Sequence, residues 1–207
     1  MNTGELLPRE VARLEELLPV ETTRQRVLEW YDAFSARAFS LLIPSPSPLL
    51  VNIAGIPGAG KSALAREMMK ENPSLLHVSF DALMEGLPPY REDLRQRGAA
   101  EAFARWELPA RHLGYRLLAG GISRRFSILF EHGNATPGHV DLYRRVKSLG
   151  YRVEIRFLDV SPAVAASRTR GRERFFPVEA IATRHALLLE LNEVYKGIVD
   201  TFEIIST

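Results

Sequence analysis

A glycine-rich segment in the first third of the chain fits the pattern G-x-x-x-x-G-K-[ST]. It reads Gly-Ile-Pro-Gly-Ala-Gly-Lys-Ser over residues 55–62. An apolar run from Leu49 to Ala54 precedes it, and a pattern typical of a helix follows from Ser62 to Lys70. Because a strand, such a loop and a helix in this order form the phosphate-binding loop of nucleotide-binding proteins, the segment predicts a nucleoside triphosphate site.

The residue types of this loop suit a triphosphate with its metal ion. Glycines allow successive backbone N–H groups to surround phosphate oxygens at a helix N-terminus, whose dipole favours an anion. Lys61 can reach the β- and γ-phosphates, and the Ser62 hydroxyl can join the Mg²⁺ shell. The expected nucleotide-binding residues of the loop are Gly55, Pro57, Gly58, Ala59, Gly60, Lys61 and Ser62.

The composition is that of an ordinary globular protein. With 207 residues, 46% of them hydrophobic and 25% charged, the chain is long enough to bury a substantial core. The net charge of +2 is too small to indicate a nucleic-acid partner, and the absence of cysteine excludes disulfides, thiolate metal sites and a cysteine nucleophile. No apolar span reaches the ~20 residues of a membrane helix, so we expect a cytoplasmic protein without membrane contact.

Two helices are predicted before the first strand. One covers residues 8–18 and ends at Pro19, and the other begins after Thr22 or Thr23 and runs to about Leu42. The proline-rich segment that follows cannot continue a helix and predicts a stiff linker into the first strand. The predicted units are therefore a helical extension, residues 1–43, and a P-loop domain, residues 44–207.

Four strand candidates follow the phosphate-binding loop, and helical patterns separate them. The strands are expected at residues 75–80, 126–130, 152–160 and 202–206. The helices are expected at about 92–120, with a candidate break at Pro109, and at 138–149, 162–170 and 178–197. Strands that alternate with helices predict an α/β fold in which a parallel five-stranded sheet has helices on both faces.

Asp81 directly follows the second predicted strand. Ligands of open α/β sheets bind beyond the carboxyl ends of the strands, so this carboxylate should lie beside the phosphate-binding loop. There it could accept the proton of an attacking hydroxyl or help to hold Mg²⁺. The alternative is a helix N-cap, because Asp before Ala82-Leu83 is a good cap. The pattern favours neither interpretation.

Glu131 likewise ends an apolar strand and is followed by His132. A carboxylate at the same edge of the sheet could contact substrate hydroxyls, or Mg²⁺ through water. The alternative is a solvated acidic residue in a loop. Histidines at such positions are more often packing residues, so His132 is a weak candidate for a substrate contact.

Four arginines, at positions 168, 170, 172 and 174, alternate with other residues in one short segment. Phosphoryl transfer spreads negative charge over the moving group, and the planar guanidinium fork can stabilise that charge. We expect at least two of the four to contact phosphate. The alternative is a solvated basic helix end that pairs with nearby glutamates.

Together these motifs resemble the zeta-toxin family of P-loop kinases, which is related to chloramphenicol phosphotransferase. The similarity extends over about residues 49–206 and depends on the order and spacing of its parts. Those parts are the phosphate-binding loop, the strand ends at Asp81 and Glu131, Leu149-Gly150-Tyr151, the arginines before Pro177-Val178, Thr183-Arg184-His185, Asn192 and Asp200.

The resemblance implies a kinase-type P-loop fold and an ATP-dependent kinase that uses Mg²⁺. It implies that Lys61 binds ATP and that Asp81 is the general base. It places Arg170 or Arg172, together with Arg174, in a lid at the transferred phosphate. The catalytic residues implied are thus Lys61, Asp81, Arg172 and Arg174, with Arg170 as a nucleotide contact. The implied substrate is UDP-N-acetylglucosamine, phosphorylated on its sugar 3′-hydroxyl, and the implied partner is an antitoxin protein.

The substrate side departs from the family pattern. The family's strand-end Glu-Gly-Thr appears here as Glu131-His132-Gly133-Asn134, without the threonine. An upstream helix glutamate that serves the same substrate falls near Gly114-Tyr115. The expected substrate contacts are Asp81, Glu131, His132 and Asn134.

The acceptor therefore stays open among UDP-N-acetylglucosamine, another sugar nucleotide, a nucleoside and an antibiotic hydroxyl. Two further alternatives are a polynucleotide 5′-hydroxyl kinase and a nucleotide-binding regulatory module without phosphotransfer. The near-neutral charge disfavours the former, and the presence of both Asp81 and the arginines disfavours the latter.

Overall fold

Five parallel strands form the centre of the structure, a computed structural model that describes residues 8–170, 177 and 179–206. The strands are β1 (Leu49–Ala54), β2 (Leu76–Ser79), β3 (Ile128–Glu131), β4 (Arg152–Asp159) and β5 (Thr201–Ser206). Their order across the sheet is β2-β3-β1-β4-β5, and every neighbouring pair is parallel. The predicted parallel five-stranded sheet is confirmed.

The register brings the ends of three strands to one edge of the sheet. Glu131 at the end of β3 pairs with Ile53 of β1 on one side and with Ser79 of β2 on the other. All of β3 and five of the six residues of β1 are buried, as expected for central parallel strands. The strand order reverses beside β1, so a crevice opens at this edge, where ligands of such sheets bind.

Helices surround the sheet. In the part of the chain that the structure describes, a 3₁₀ turn at Arg9–Val11 precedes nine α-helices. They are α1 (Leu14–Leu17), α2 (Arg24–Phe39), α3 (Lys61–Glu71), α4 (Phe80–Gly86), α5 (Pro88–Arg97), α6 (Ala99–Ser123), α7 (His139–Ser148), α8 (Pro162–Arg170) and α9 (Ala180–Lys196). Among these described helices, none is long and apolar enough to cross a membrane.

The first predicted helix is wrong in its extent. Residues 8–18 form the 3₁₀ turn and the short α1, separated at Arg13, whose backbone is extended (φ −118°, ψ 103°). This break lets both Val11 and Leu14 reach the core, where each is 2% exposed. Thr23, rather than Thr22, caps α2 by accepting a hydrogen bond from the Arg26 N–H.

The predicted break at Pro109 is also wrong. Helix α6 continues through Pro109, and the chain instead breaks at Gly98, between α5 and α6. Gly98 has φ 85° and ψ 169°, a conformation that glycine alone adopts without strain. Pro109 is buried in α6, whose packing compensates for the one backbone hydrogen bond that a proline removes.

The described part of the N-terminal extension packs against α6. The imidazole of His112 on α6 contacts the carbonyl oxygen of Val11 through Nδ1 at 2.6 Å. Val27 and Tyr31 of α2 are buried in the same core as the sheet. The extension therefore shares its core with the P-loop unit, and α6 is the element that joins them.

Candidate active site

A cavity of about 320 Å³ lies at the edge where β1, β2 and β3 end. The phosphate-binding loop forms one wall, and α4, α6 and α9 contribute side chains to the others. The residues proposed from the sequence that line it include Lys61, Ser62, Asp81, Glu131, His132 and Asn134. The fold thus brings together the candidates from three separate strand ends.

The phosphate-binding loop has the backbone conformation that its glycines permit. Gly55, Gly58 and Gly60 have φ angles of 143°, 89° and 101°. Gly60 precedes Lys61, the first residue of α3, so the loop opens onto a helix N-terminus. Backbone N–H groups and the helix dipole at such a position favour a phosphate. These residues fit the triphosphate that the motif predicts.

Lys61 lies across its own loop. Its Nζ donates hydrogen bonds to the carbonyl oxygens of Gly55 at 2.9 Å and Ile56 at 3.1 Å. The ammonium group is therefore held beside the backbone that would surround the phosphates. A lysine in this position neutralises charge on the β- and γ-phosphates of a bound nucleotide.

Helix α8 packs directly on the loop at Gly58. A Cβ atom at Gly58 would lie 2.3 Å from the carbonyl oxygen of Ala165 and 2.8 Å from Oγ1 of Thr169. Arg170, the last residue of α8, is exposed to solvent. Arg172 and Arg174 lie outside the described residues, so their place in a lid stays a prediction.

Ser62, Glu131 and His77 form a row of three polar side chains from α3, β3 and β2. The Ser62 hydroxyl donates to Oε1 of Glu131 at 2.5 Å, and Nε2 of His77 lies 3.0 Å from Oε2. Glu131 is only 8% exposed, so it is not the solvated loop residue of the alternative interpretation. His77 was not predicted. The one sequence feature that could have indicated His77 is that it is a polar residue within a short apolar strand.

The electrostatic surroundings keep Glu131 ionised. Burial would raise the pKa of this carboxyl group, but the hydrogen bonds from His77 and Ser62, with the charge of Lys61 nearby, lower it to about 2. Within the described residues no cluster of three or more His, Asp or Glu side chains is arranged to hold a metal. A hydroxyl beside one carboxylate fits Mg²⁺, which keeps several waters and uses few protein ligands.

Asp81 is not the cap of its helix. Helix α4 begins at Phe80, and the Ser79 hydroxyl caps it by accepting a hydrogen bond from the Ala82 N–H at 3.4 Å. Asp81 instead lies in the first turn and lines the cavity. The helix-cap interpretation of Asp81 is therefore wrong, and the carboxylate is positioned at the cavity that the loop also lines.

His132 is a packing residue at the cavity wall. Its ring stacks on Phe130, with centroids 5.4 Å apart and planes 10° from parallel. Burial, with His139 nearby, lowers the pKa of His132 well below its usual value, so the ring is neutral. Its Nδ1 accepts a hydrogen bond from the Asn134 N–H at 3.1 Å. A direct substrate contact stays a prediction.

Asn134 anchors the loop after β3. Its Oδ1 accepts hydrogen bonds from His139 and from the Tyr143 hydroxyl, each at 2.7 Å, and the side chain is fully buried. Its backbone has φ 69°, a conformation that asparagine tolerates better than most residues. The next residue back, Gly133, accepts a hydrogen bond from the Gly55 N–H at 3.2 Å. The structure gives Asn134 a supporting role, and its substrate contact stays a prediction.

Three charged residues of the cavity wall were missing from the sequence-based site. Glu107 and Arg111 come from α6, with 3.4 Å between Arg111 Nε and Glu107 Oε1, and Arg184 comes from α9. Burial and the charge of Arg111 lower the pKa of Arg184, whereas Glu107 and Asp81 oppose that shift. The four-residue spacing of Glu107 and Arg111 was the available signal, since it puts both on one helix face.

The expectation about the upstream helix glutamate stays a prediction. The sequence comparison put that position near Gly114-Tyr115, without an acidic residue. In the structure, Glu107 of the same helix lines the cavity. The cavity wall therefore contains a carboxylate from helix α6.

Known proteins similar to this chain agree with the fold. A chain from the PezAT chromosomal toxin–antitoxin system of Streptococcus pneumoniae superposes with a TM-score of 0.75, at 17% identity over 90% of this chain and 79% of that one. A chain of the AvrRxo1-ORF1:AvrRxo1-ORF2 complex with ATP gives a TM-score of 0.70, at 14% identity over 98% and 70%. A comparison with curated protein sequences finds no match.

The family assignment comes from the sequence. The model of the zeta toxin family matches residues 36–207, which is most of the chain. Membership supports an ATP-dependent phosphotransferase of the kinase type. The match, the parallel sheet and the phosphate-binding loop agree, and the chain belongs to the zeta toxin family.

Proposed function

We propose that the protein transfers the γ-phosphoryl group of ATP to a hydroxyl of a small anionic acceptor. The observation that carries the proposal is that one cavity is lined by Lys61 of the phosphate-binding loop, by the Asp81 carboxylate and by Arg184. Family membership supports the kinase activity. The chemistry of the cavity wall supports the class of acceptor.

In this proposal, Asp81 is the general base. The acceptor hydroxyl oxygen bonds to the γ-phosphorus, its proton passes to the Asp81 carboxylate, and the bond from the γ-phosphorus to the bridging oxygen breaks to release ADP. Lys61 neutralises charge on the β- and γ-phosphates. The Ser62 hydroxyl and, through water, Glu131 would hold magnesium, which when bound would neutralise further charge on the phosphate oxygens.

We expect the acceptor to carry negative charge because two arginines line the cavity. Arg111 and Arg184 both line the cavity, and Nε of Arg111 lies 3.4 Å from Oε1 of Glu107. Arginine binds phosphate and carboxylate groups through its planar fork. UDP-N-acetylglucosamine, phosphorylated on the sugar 3′-hydroxyl, meets this requirement with its diphosphate and sugar hydroxyls, and is the leading candidate.

An antitoxin protein is the proposed partner. The similar PezAT chain comes from a toxin–antitoxin system, which supports a protein that blocks the kinase. The test adds the purified product of a neighbouring gene to a nucleotide-binding assay. Loss of ATP binding supports such a partner, and unchanged binding together with unchanged phosphotransfer argues against it.

To identify the acceptor, the protein is incubated with ATP labelled at the γ-phosphate and with each member of a panel of UDP-sugars, nucleosides, antibiotics and oligonucleotides. We expect label on a sugar nucleotide. Arg184→Ala should raise the KM for that acceptor by about 10-fold or more, because the acceptor loses a hydrogen bond from a charged donor. The KM for ATP should stay near its original value. Arg144→Ala, at an exposed arginine of α7, is the matched control. Label on neutral nucleosides alone would contradict the anionic acceptor.

A further inference from the structure

His77 contacts the buried carboxylate of Glu131 from the side opposite Ser62. The His77 Nε2 atom lies 3.0 Å from Oε2, and the Ser62 hydroxyl lies 2.5 Å from Oε1. The Glu131 side chain is 6% exposed and that of His77 is 31% exposed. Each carboxylate oxygen therefore has one described side-chain donor, on a strand and a helix that flank β3.

The hydrogen-bond roles in this row follow from the chemistry of the groups. An ionised carboxylate only accepts, so the Ser62 hydroxyl and the His77 Nε2–H both donate. Hydrogen bonds to an ionised acceptor are about twice as strong as those between neutral groups. The two donors thus fix the orientation of the Glu131 carboxylate about its Cγ–Cδ bond.

The two donors are not equivalent once magnesium binds. In the proposed function the Ser62 hydroxyl oxygen is also a ligand of the metal, so the orientation of this hydroxyl depends on whether magnesium is bound. His77 lies on β2, next to β3 in a parallel pairing that joins Ser79 to Glu131, so its position does not depend on a nucleotide. His77 is the donor that can hold Glu131 in both states.

We propose that His77 is a positioning residue: its Nε2–H holds the Glu131 carboxylate toward Ser62 and the magnesium site. This role rests on the proposed function. Partners that orient metal-binding side chains from behind typically change metal affinity or activity by 10- to 100-fold when they are removed. His77 itself touches neither nucleotide nor acceptor in this account, because it acts through Glu131.

The test measures magnesium dependence without turnover. Binding of a fluorescent ATP analogue is titrated in EDTA and then at increasing Mg²⁺ for the wild-type protein and for His77→Leu, His77→Asn and His77→Gln. We expect equal binding in EDTA. With Mg²⁺, the Leu and Asn variants should need about 10- to 100-fold more metal for half-maximal enhancement. The Gln variant should approach wild type, because its amide N–H reaches the place of Nε2.

The background variant Glu131→Gln shows whether His77 acts through the carboxylate. Adding His77→Leu to Glu131→Gln should produce no further change in magnesium dependence, since the coupled groups share one effect. Additive effects would overturn the role, as would wild-type behaviour of His77→Leu. If thermal unfolding shows that the Leu variant does not fold, the comparison of Gln with Asn decides.

The same titration separates this role from the proposed function. Wild-type protein that binds no nucleotide, with or without Mg²⁺, would overturn the proposed function and this role with it. Wild-type protein with normal magnesium dependence and an unchanged His77→Asn variant would overturn the role of His77 alone.

Discussion

A Cβ atom on Gly58 would lie 2.3 Å from the carbonyl oxygen of Ala165, so the phosphate-binding loop and helix α8 meet without space for a side chain. Thr169, one turn further along α8, donates its hydroxyl hydrogen to the same carbonyl at 2.8 Å. Helix α8, which precedes the arginine-rich segment, thus packs directly against the phosphate-binding loop. Any movement of α8 toward the loop would press on Gly58.

This contact predicts a graded series of glycine substitutions. Gly58→Ala should lower the free energy of unfolding most, because a φ of 89° costs about 1–2 kcal/mol for alanine and displacing α8 adds about 1–3 kcal/mol. Gly60→Ala, with φ 101° but open space, should show the first cost alone. Gly86→Ala, with open space and no positive φ, is the control.

Urea denaturation of the three variants measures the order. If Gly60→Ala were as destabilising as Gly58→Ala, the contact with Ala165 would carry no energy. That result would contradict the close packing of α8 against the phosphate-binding loop.

Ser79 and Asp81 should separate stability from chemistry. Ser79→Ala removes the cap of α4 and should lower the free energy of unfolding by about 1 kcal/mol. Asp81→Asn keeps the size of the side chain and leaves the Ser79 cap in place, so it should lower the free energy of unfolding by less than Ser79→Ala does. Chemical denaturation compares the two. A larger loss for Asp81→Asn would restore the cap interpretation.

Lys61 should be required for the nucleotide and not for the fold. Lys61→Ala removes the ammonium that lies 2.9 Å from the Gly55 carbonyl, and turnover should fall by about 10²-fold or more. Lys70→Ala, at an exposed lysine in the last turn of the same helix, should behave like wild type. Titration with ATP and steady-state kinetics check this pair, and equal activity of the two variants would contradict the role of Lys61.

Buried neutral histidines should make the fold sensitive to mild acid. Burial lowers the pKa of His112, of His132 and of His139, the last to about 3. In the unfolded chain each binds a proton near pH 6.5, whereas the folded protein leaves it neutral. Stability is therefore complete above pH 6.5 and falls as the pH decreases, by about 1.4 kcal/mol per pH unit for His139.

The pH slope isolates this effect from lost packing. Denaturation of His139→Gln and wild type between pH 7 and about 5 should give a smaller slope for the variant, whatever its stability at pH 7. Parallel slopes would show that His139 binds a proton in the folded state.

Local patterns in the sequence predicted the parts of the site that are contiguous in the chain. The loop motif identified Lys61 and Ser62. The apolar strands led to the two carboxylates at or just after their ends, Glu131 at the end of β3 and Asp81 two residues after β2. These residues follow from one rule, that parallel strands end at one edge. The boundaries of α5 and α6 were less accurate, because Gly98 and Pro109 are both helix breakers in isolation and only packing decides between them.

The rest of the site depends on distant pairings that no local pattern contains. His77 and Glu131 are 54 residues apart and meet because β2 pairs with β3. Arg184 and Arg111 face one cavity because α9 and α6 both border it. Their charges are typical of solvated helix faces, so the sequence signals at these positions did not place the two side chains in one cavity.

The destination of a labelled γ-phosphate in wild type and Asp81→Asn tests the account most directly. The account predicts transfer of the label to the acceptor hydroxyl in wild type. In Asp81→Asn it predicts a 10²- to 10⁴-fold slower transfer with ATP binding retained, since the amide cannot accept the proton. Equal rates in the two proteins, or label released only as inorganic phosphate by both, would contradict a kinase that uses Asp81 as its base.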